Sequence, residues 1–202
     1  MAPPTVDNLA SMIDHSVIDP FHTENDLREG IEIAKKCQTG QFVTQPFRVR
    51  HARQLLEGTG IRLQTFIGLP HGSDHTAVKV LQARLALADG AQELDMVINL
   101  SALLSGDAAY VEQDIRAVWF LPWLAHGPTP PHGVAVKAIV EVYFLNDDQL
   151  TAAVQAADRA GVAFIKTSTG TRPDRMADVE HSVRVIRAVA KPETIIKASG
   201  GC

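Results

Sequence analysis

Short β-branched or apolar runs alternate with longer Ala/Leu/Arg-rich stretches along the whole chain, and this alternation limits the folds open to it. The runs are Met12–Val17, Gln41–Gln45, Arg62–Leu69, Glu93–Asn99, Ala135–Val142, Phe164–Ser168 and Thr194–Ala198. The stretches between them carry helix signals. Thr23-Glu24-Asn25-Asp26 supplies an N-cap and an acidic first turn, with Leu27, Ile31 and Ala34 following at helical spacing. Ser73 and Asp74 open Thr76–Ala88, which stops at Asp89-Gly90, and Asn146-Asp147-Asp148 open Gln149–Ala160, which stops at Gly161. Strand–helix alternation of this kind predicts right-handed βαβ units and a parallel sheet.

The spacing of the units narrows the choice further. Taking Asp14, Val43, Phe66, Asp95, Lys137, Lys166 and Lys197 as strand markers, the steps are 29, 23, 29, 42, 29 and 31 residues. A repeat of one βα pair predicts an α/β fold of the TIM (β/α)8 barrel type. An open Rossmann-type sheet is the alternative, but no G-x-G-x-x-G follows the first run. Residues 1–202 read as a single barrel domain. Only seven runs precede the terminal Gly200-Gly201-Cys202, so the eighth βα unit is expected to be missing from this chain. The 42-residue step contains Trp119 and Trp123 and the prolines Pro122, Pro128, Pro130 and Pro131. The stretch 119–133 within it is expected to be a long loop anchored by the two tryptophans, because proline excludes helix.

Composition removes several function classes. With 46% hydrophobic residues the chain can bury a core, and no apolar run approaches a membrane-spanning length. Nineteen Lys+Arg against 23 Asp+Glu, without runs of like charge, leave no footprint for nucleic acid or anionic lipid. Two cysteines, Cys37 and Cys202, cannot form a disulfide scaffold, and the N-terminus lacks a signal-peptide pattern. A cytoplasmic protein acting on small molecules is expected, with homo-oligomerisation left open.

The chemistry is carried by lysines inside strands. Lys137, Lys166 and Lys197 each interrupt an apolar run at an equivalent place. Parallel strands covered on both faces are otherwise near-continuously apolar, and buried unpaired lysine is rare. In a closed barrel such side chains converge on one axis. Converging ammonium groups and desolvation both favour the neutral amine, a nucleophile that attacks carbonyls to form a Schiff base. Asp95, in Leu94-Asp95-Met96-Val97-Ile98-Asn99, reads either as an ion-pair partner neutralising the lysines or as a proton relay; Asp14 in Ile13-Asp14-His15-Ser16 resembles it. Gly170-Thr171 and Gly200-Gly201 follow late strands, where glycine lets backbone N–H groups approach an anion. The eight histidines include His71 and His75 at i, i+4, but Gly72-Ser73-Asp74 between them reads as a loop and cap rather than a ligand-bearing helix. No metal and no cofactor are expected.

These motifs together resemble the deoxyribose-phosphate aldolases, class I aldolases of the (β/α)8 type. The resemblance runs from Ile13-Asp14-His15 to Lys197-Ala198-Ser199-Gly200-Gly201. It includes Gly68-Leu69-Pro70-His71-Gly72, the stretch from Ala88 through Asn99, Ser105-Gly106-Asp107, Asp114-Ile115-Arg116-Ala117-Val118 and Phe164-Ile165-Lys166-Thr167-Ser168-Thr169-Gly170. It implies reversible cleavage of 2-deoxy-D-ribose 5-phosphate to D-glyceraldehyde 3-phosphate and acetaldehyde. By the same resemblance Lys166 forms the Schiff base, Lys197 tunes it, and Asp95 relays protons. Asp14, Ser16, Lys137, Thr167, Gly170, Thr171, Gly200 and Gly201 are the implied substrate-binding positions.

The sequence also departs from the pattern. Val43 stands where a strand-two cysteine is frequent, Ser16 replaces a frequent threonine, and the bulky Tyr143 and Phe144 follow Glu141 where small residues are common, which narrows the mouth. Residues 119–133 match poorly, and the absent eighth unit takes away part of the family's phosphate site. A related Schiff-base lyase or thiolase on another phosphorylated carbonyl compound is one alternative. A catalytically inactive homologue acting as a binding protein is the other.

Overall fold

The computed structural model of the chain describes residues 9–126, 134–171 and 178–200, with the side chains of 122–126 excepted. The fold is α/β, with seven strands alternating with helices, and the strand pairings between consecutive elements are parallel. Its Cα positions group into two compact units. One runs through Phe66 and includes Leu85–Glu93; the other comprises Ile67–Arg84 and the residues from Leu94 onward.

The first unit contains β1 (Asp14–Val17), α1 (Glu24–Cys37), β2 (Gln41–Thr44), α2 (Val49–Leu55) and most of β3 (Arg62–Ile67). The strands lie in chain order, with Asp14 beside Gln41 and Gln41 beside Arg62. Helix α1 starts as its sequence predicts. The Thr23 hydroxyl accepts from the Asp26 N–H, and the Asp26 carboxylate accepts from the Thr23 N–H at 2.6 Å, which together form a capping box. Leu27, Gly30, Ile31 and Ala34 form its buried face. Gly30 is there for space, since a Cβ would stand 2.4 Å from Val17 Cγ2.

The second unit contains most of α3 (Thr76–Ala88) and all but the first residue of β4 (Glu93–Val97). It also holds α4 (Leu100–Leu104), α5 (Ala108–His126), β5 (Ala135–Ile139), α6 (Asp147–Ala160), β6 (Phe164–Lys166), α7 (Val179–Val189) and β7 (Ile195–Lys197). Asn146 caps α6 through a second capping box with Gln149, and Gly161 ends the helix in the left-handed region. Beyond the assigned strands the ladder continues. Val140 N–H donates to the Lys166 carbonyl at 3.0 Å and Thr167 N–H to the Lys197 carbonyl at 3.0 Å.

The stretch 119–126 is helix rather than loop, which corrects the expectation for the first part of the 42-residue step. Helix α5 runs through Pro122 to His126. A proline removes one N–H and crowds the carbonyl four residues earlier, but near a helix end the rest of the ladder survives the loss. The Trp119 ring lies against Gly161, 3.2 Å from where a Cβ would stand, and so packs α5 onto the C-terminus of α6. The rest of that expected loop, including residues 127–133, lies outside the described residues, as does the side chain of Trp123. No helix among the described residues is long and apolar enough to cross a membrane.

Candidate active site

Three of the strands in the second unit bring the lysines together by register. Lys137 and Ile139 alternate onto one face of β5, Ile139 is level with Lys166 on β6, and Lys166 is level with Lys197 on β7. Side chains level on parallel neighbours share a face, with strands ~4.8 Å apart. Lys166 and Lys197 are therefore side by side, and Lys137 sits two residues lower on the same face. The carbonyl of each of the two upper lysines accepts a hydrogen bond from a neighbouring segment, which fixes their Cα positions.

Asp95 on β4 is the carboxylate that answers this charge. Its Oδ2 is 2.6 Å from Lys166 Nζ and its Oδ1 is 3.5 Å from Lys137 Nζ. Lys137 is 1% exposed, as is Asp95, while the Lys166 side chain keeps 12% exposure. The difference separates two roles chemically. Lys137 is sealed between Asp95 and the face of Phe164, whose ring centroid is 5.4 Å from its ammonium. Of these two, Lys166 is the amine a small molecule can reach, and it already hydrogen-bonds to a buried carboxylate.

Above the lysines, hydroxyl groups tie β6 to β7. Thr167 Oγ1 donates to the Ser199 carbonyl at 3.0 Å and accepts from the Ser199 N–H at 2.9 Å. Ser199 Oγ donates to the Ser168 carbonyl at 2.7 Å and accepts from the Ser168 N–H. Sequence inspection did not find Glu141. It is buried, has φ +53°, and accepts from both the N–H and the hydroxyl of Thr169 at 3.1 and 2.5 Å. Because the Thr169 hydroxyl donates to Glu141, its oxygen is left to accept from the Thr171 N–H at 3.2 Å and from the Thr171 hydroxyl at 2.8 Å. The segment after β6 is thus ordered outward from a buried carboxylate. A glutamate directly after an apolar strand was the signal available for it.

The other expected positions fall as follows. Gly170 (φ +78°) and Gly200 (φ +81°) adopt backbone conformations that favour glycine. Nothing lies within 4 Å of a Cβ at Gly170, whereas at Gly200 the Tyr143 hydroxyl would be 2.5 Å away. Asp14 and Ser16 lie on β1 in the first unit, where the Ser16 hydroxyl donates to the Asp14 carbonyl at 3.3 Å. Gly201 lies outside the described residues. Among the described residues no group of three or more His, Cys, Asp or Glu could hold a metal ion. His75 instead turns Nδ1 onto the Ala77 N–H at 3.2 Å in the first turn of α3.

Comparison with known proteins gives the family. Residues 8–202 match the family model described as DeoC/LacD family aldolase. The deoxyribose-phosphate aldolase of Aciduliprofundum boonei is 36% identical over 195 residues, covering 96% of this chain and 83% of that protein. That of Thermococcus gammatolerans is 38% identical, with 96% and 83% covered. Among solved structures, the deoxyribose phosphate aldolase from Aeropyrum pernix superposes with a TM-score of 0.82 at 30% identity, covering 98% of this chain and 79% of that one. An aldolase designated QR15 gives 0.84 at 32% identity, covering 96% and 82%. A dihydrodipicolinate synthase from Agrobacterium tumefaciens, 13% identical with a TM-score of 0.60, shares the fold. The chain belongs to the DeoC/LacD family of aldolases.

Proposed function

We propose that this aldolase cleaves 2-deoxy-D-ribose 5-phosphate reversibly to D-glyceraldehyde 3-phosphate and acetaldehyde, with Lys166 as the Schiff-base residue. The observation that carries the assignment is the partly exposed Lys166 ammonium held 2.6 Å from Asp95, whose carboxylate is almost wholly buried. The Lys166 amine adds to C1 of the open-chain aldehyde, and the carbinolamine loses water to give an imine. Removal of the C3 hydroxyl proton breaks the C2–C3 bond. The electron pair moves into the imine as an enamine, and the three-carbon aldehyde phosphate leaves. Protonation at C2 and hydrolysis release acetaldehyde and restore the amine. The imine is itself the electron sink, so this sequence of steps needs no metal or cofactor.

Asp95 is assigned the proton transfers, because it is the carboxylate in hydrogen-bond contact with the Lys166 amine. Lys197, level with Lys166 on the adjacent strand, keeps a second positive charge beside the reacting nitrogen and shares in proton movement through a water. Lys137 holds the other oxygen of Asp95. Asp14, Ser16, Gly170, Thr171, Gly200 and Gly201 are assigned to the sugar and its phosphate, and Thr167 to the tie that keeps β7 in place. A cytoplasmic setting accords with the exposed free thiol of Cys37. The Aeropyrum pernix enzyme is described as tetrameric, and a homo-oligomer is the corresponding proposal for this chain.

Acetaldehyde with borohydride tests the reading directly. One reduced adduct per chain is expected by intact mass, and peptide mapping should place it on Lys166. An adduct on Lys137 or Lys197, or none with any aldehyde, would overturn it.

A further inference from the structure

Among the described residues, two hydroxyl groups in the segments that follow β5 and β6 make no hydrogen bond. Ser168 is 0% exposed, yet its Oγ makes no hydrogen bond. Tyr143 is half-buried in the 3-10 turn Val142–Phe144, and among the described residues its phenol has no hydrogen-bond partner. Both lie against Gly200. The point where a Cβ on Gly200 would stand is 2.5 Å from the Tyr143 hydroxyl and 3.1 Å from Ser168 Cβ. Buried hydroxyls are normally satisfied by protein or by ordered water. Two unmet hydroxyls flanking one glycine mark a place shaped for an oxygen-bearing ligand.

Position along the strand says which part of a ligand would reach it. Ser168 follows Lys166 by two residues, just beyond the end of β6, so their Cα atoms are at most ~7 Å apart. An imine on Lys166 puts the phosphorus of a five-carbon sugar phosphate six bonds from the imine carbon, a comparable reach. A phosphate dianion only accepts hydrogen bonds, and both hydroxyls are able to donate. Gly200 contributes by absence, because any side chain there would collide with the phenol.

We propose that Tyr143 and Ser168 form a donor pair that recognises the phosphate end of the substrate, with Tyr143 as a specificity-determining residue of this chain. The proposal rests on the aldolase reading above and adds the groups that distinguish a phosphorylated from an unphosphorylated substrate. It also explains how a bulky residue is accommodated after Glu141. The left-handed backbone at Glu141 turns the chain, and the Tyr143 ring ends on the bare backbone of Gly200.

The test compares kcat/KM for 2-deoxyribose 5-phosphate with that for 2-deoxyribose in wild type, Tyr143→Phe and Ser168→Ala. Tyr143→Phe keeps the ring in place and removes one oxygen, so it serves even if the fully buried Ser168→Ala fails to fold. Losing a hydrogen bond to a charged group should lower the preference for the phosphorylated sugar roughly 10- to 100-fold, chiefly through KM. Inorganic phosphate should also inhibit Tyr143→Phe more weakly than wild type. An unchanged substrate ratio and unchanged phosphate inhibition in Tyr143→Phe would overturn the proposal, as would an equal fall on both substrates. Borohydride trapping of wild type with acetaldehyde is the separate check on the parent reading. A trapped imine with an unmoved ratio refutes the donor pair alone, and a failed trap refutes the aldolase assignment of Lys166.

Discussion

Lys79 Nζ lies 2.6 Å from Asp114 Oδ2 with both side chains wholly buried, and the same ammonium donates to the Val97 carbonyl at 3.1 Å. The pair thus joins α3 to α5 and both to the end of β4, two residues beyond Asp95. Thr76 Oγ1 donates to the other oxygen of Asp114 at 2.8 Å, so the carboxylate is satisfied on both sides. A buried pair of this kind contributes little net stability over an apolar pair, yet removing one member strands a charge. Lys79→Met or Asp114→Asn alone should cost about 3–5 kcal/mol. The double variant Lys79→Met/Asp114→Asn should cost clearly less than the sum of the singles. Denaturant midpoints of the three variants decide it, and simple additivity would refute the coupling.

Gly72 closes on the same strand end from the loop side. A Cβ there would stand 1.8 Å from the Ile98 carbonyl oxygen and 2.9 Å from that of Val97, and the residue has φ +67°. Backbone cannot yield as a side chain tip can, so Gly72→Ala must displace either the loop or the end of β4. Gly106 is the useful contrast, with φ +85° but nothing within 4 Å of a Cβ. Gly106→Ala should lose about 1 kcal/mol for the left-handed backbone alone, and Gly72→Ala several times that. Gly72→Ala should also lower turnover, because Asp95 lies on the displaced strand. Equal losses for the two variants would show that the close approach to Ile98 has no consequence.

What the sequence reveals of this molecule depends on whether a feature is local. Lysines in apolar runs stand out because nothing else in such a run is charged, so Lys137, Lys166 and Lys197 were visible one at a time. The capping boxes at Thr23 and Asn146 are equally local. Which lysines Asp95 meets is a matter of strand register, and residue spacing does not encode it. The contact of Asp95 Oδ1 with Lys137 emerges only when β5 is laid two residues lower against β6. Lys79 was hidden for another reason. A single lysine in an Ala/Leu-rich helix looks solvated, and its burial follows from an aspartate 35 residues away. Pro122 signals a loop by the rule for helix interiors, whereas it stands within the last five residues of α5.

The register also predicts different effects for the two lysines that flank Lys166. Lys197 stands level with it, whereas Lys137 lies two residues lower and pairs with Asp95 and the Phe164 ring. Lys197→Leu should reduce turnover by a factor of ~10²–10⁴, the usual effect of losing an acid/base partner, with modest change in stability. Lys137→Met should instead reduce stability as well as turnover, because it leaves Asp95 facing one cation fewer in a buried place. Steady-state kinetics and denaturant unfolding on the two variants separate the roles. Indistinguishable profiles would mean that register does not divide the work.

His15 gives the first unit a pH dependence whose sign can be worked out. Its ring packs 6.0 Å from the Phe42 ring centroid, and its Nε2 is buried without a hydrogen-bond partner, 3.6 Å from where a Cβ on Gly30 would stand. Burial pushes its pKa below the ordinary value of 6.5, because the charged imidazolium loses hydration and gains no partner. In the window between the lowered folded value and 6.5, the unfolded chain binds more protons at this site than the folded one. Stability therefore rises with pH through that window and is lost as the solution is acidified from neutrality. Replacing the imidazole by an amide that does not titrate, His15→Gln, should flatten this part of the profile. Urea midpoints at pH 5.5 and 7.5 measure it: wild type should lose more on acidification than His15→Gln does. Parallel losses in the two proteins would show that His15 titrates in the folded state as it does in the unfolded chain.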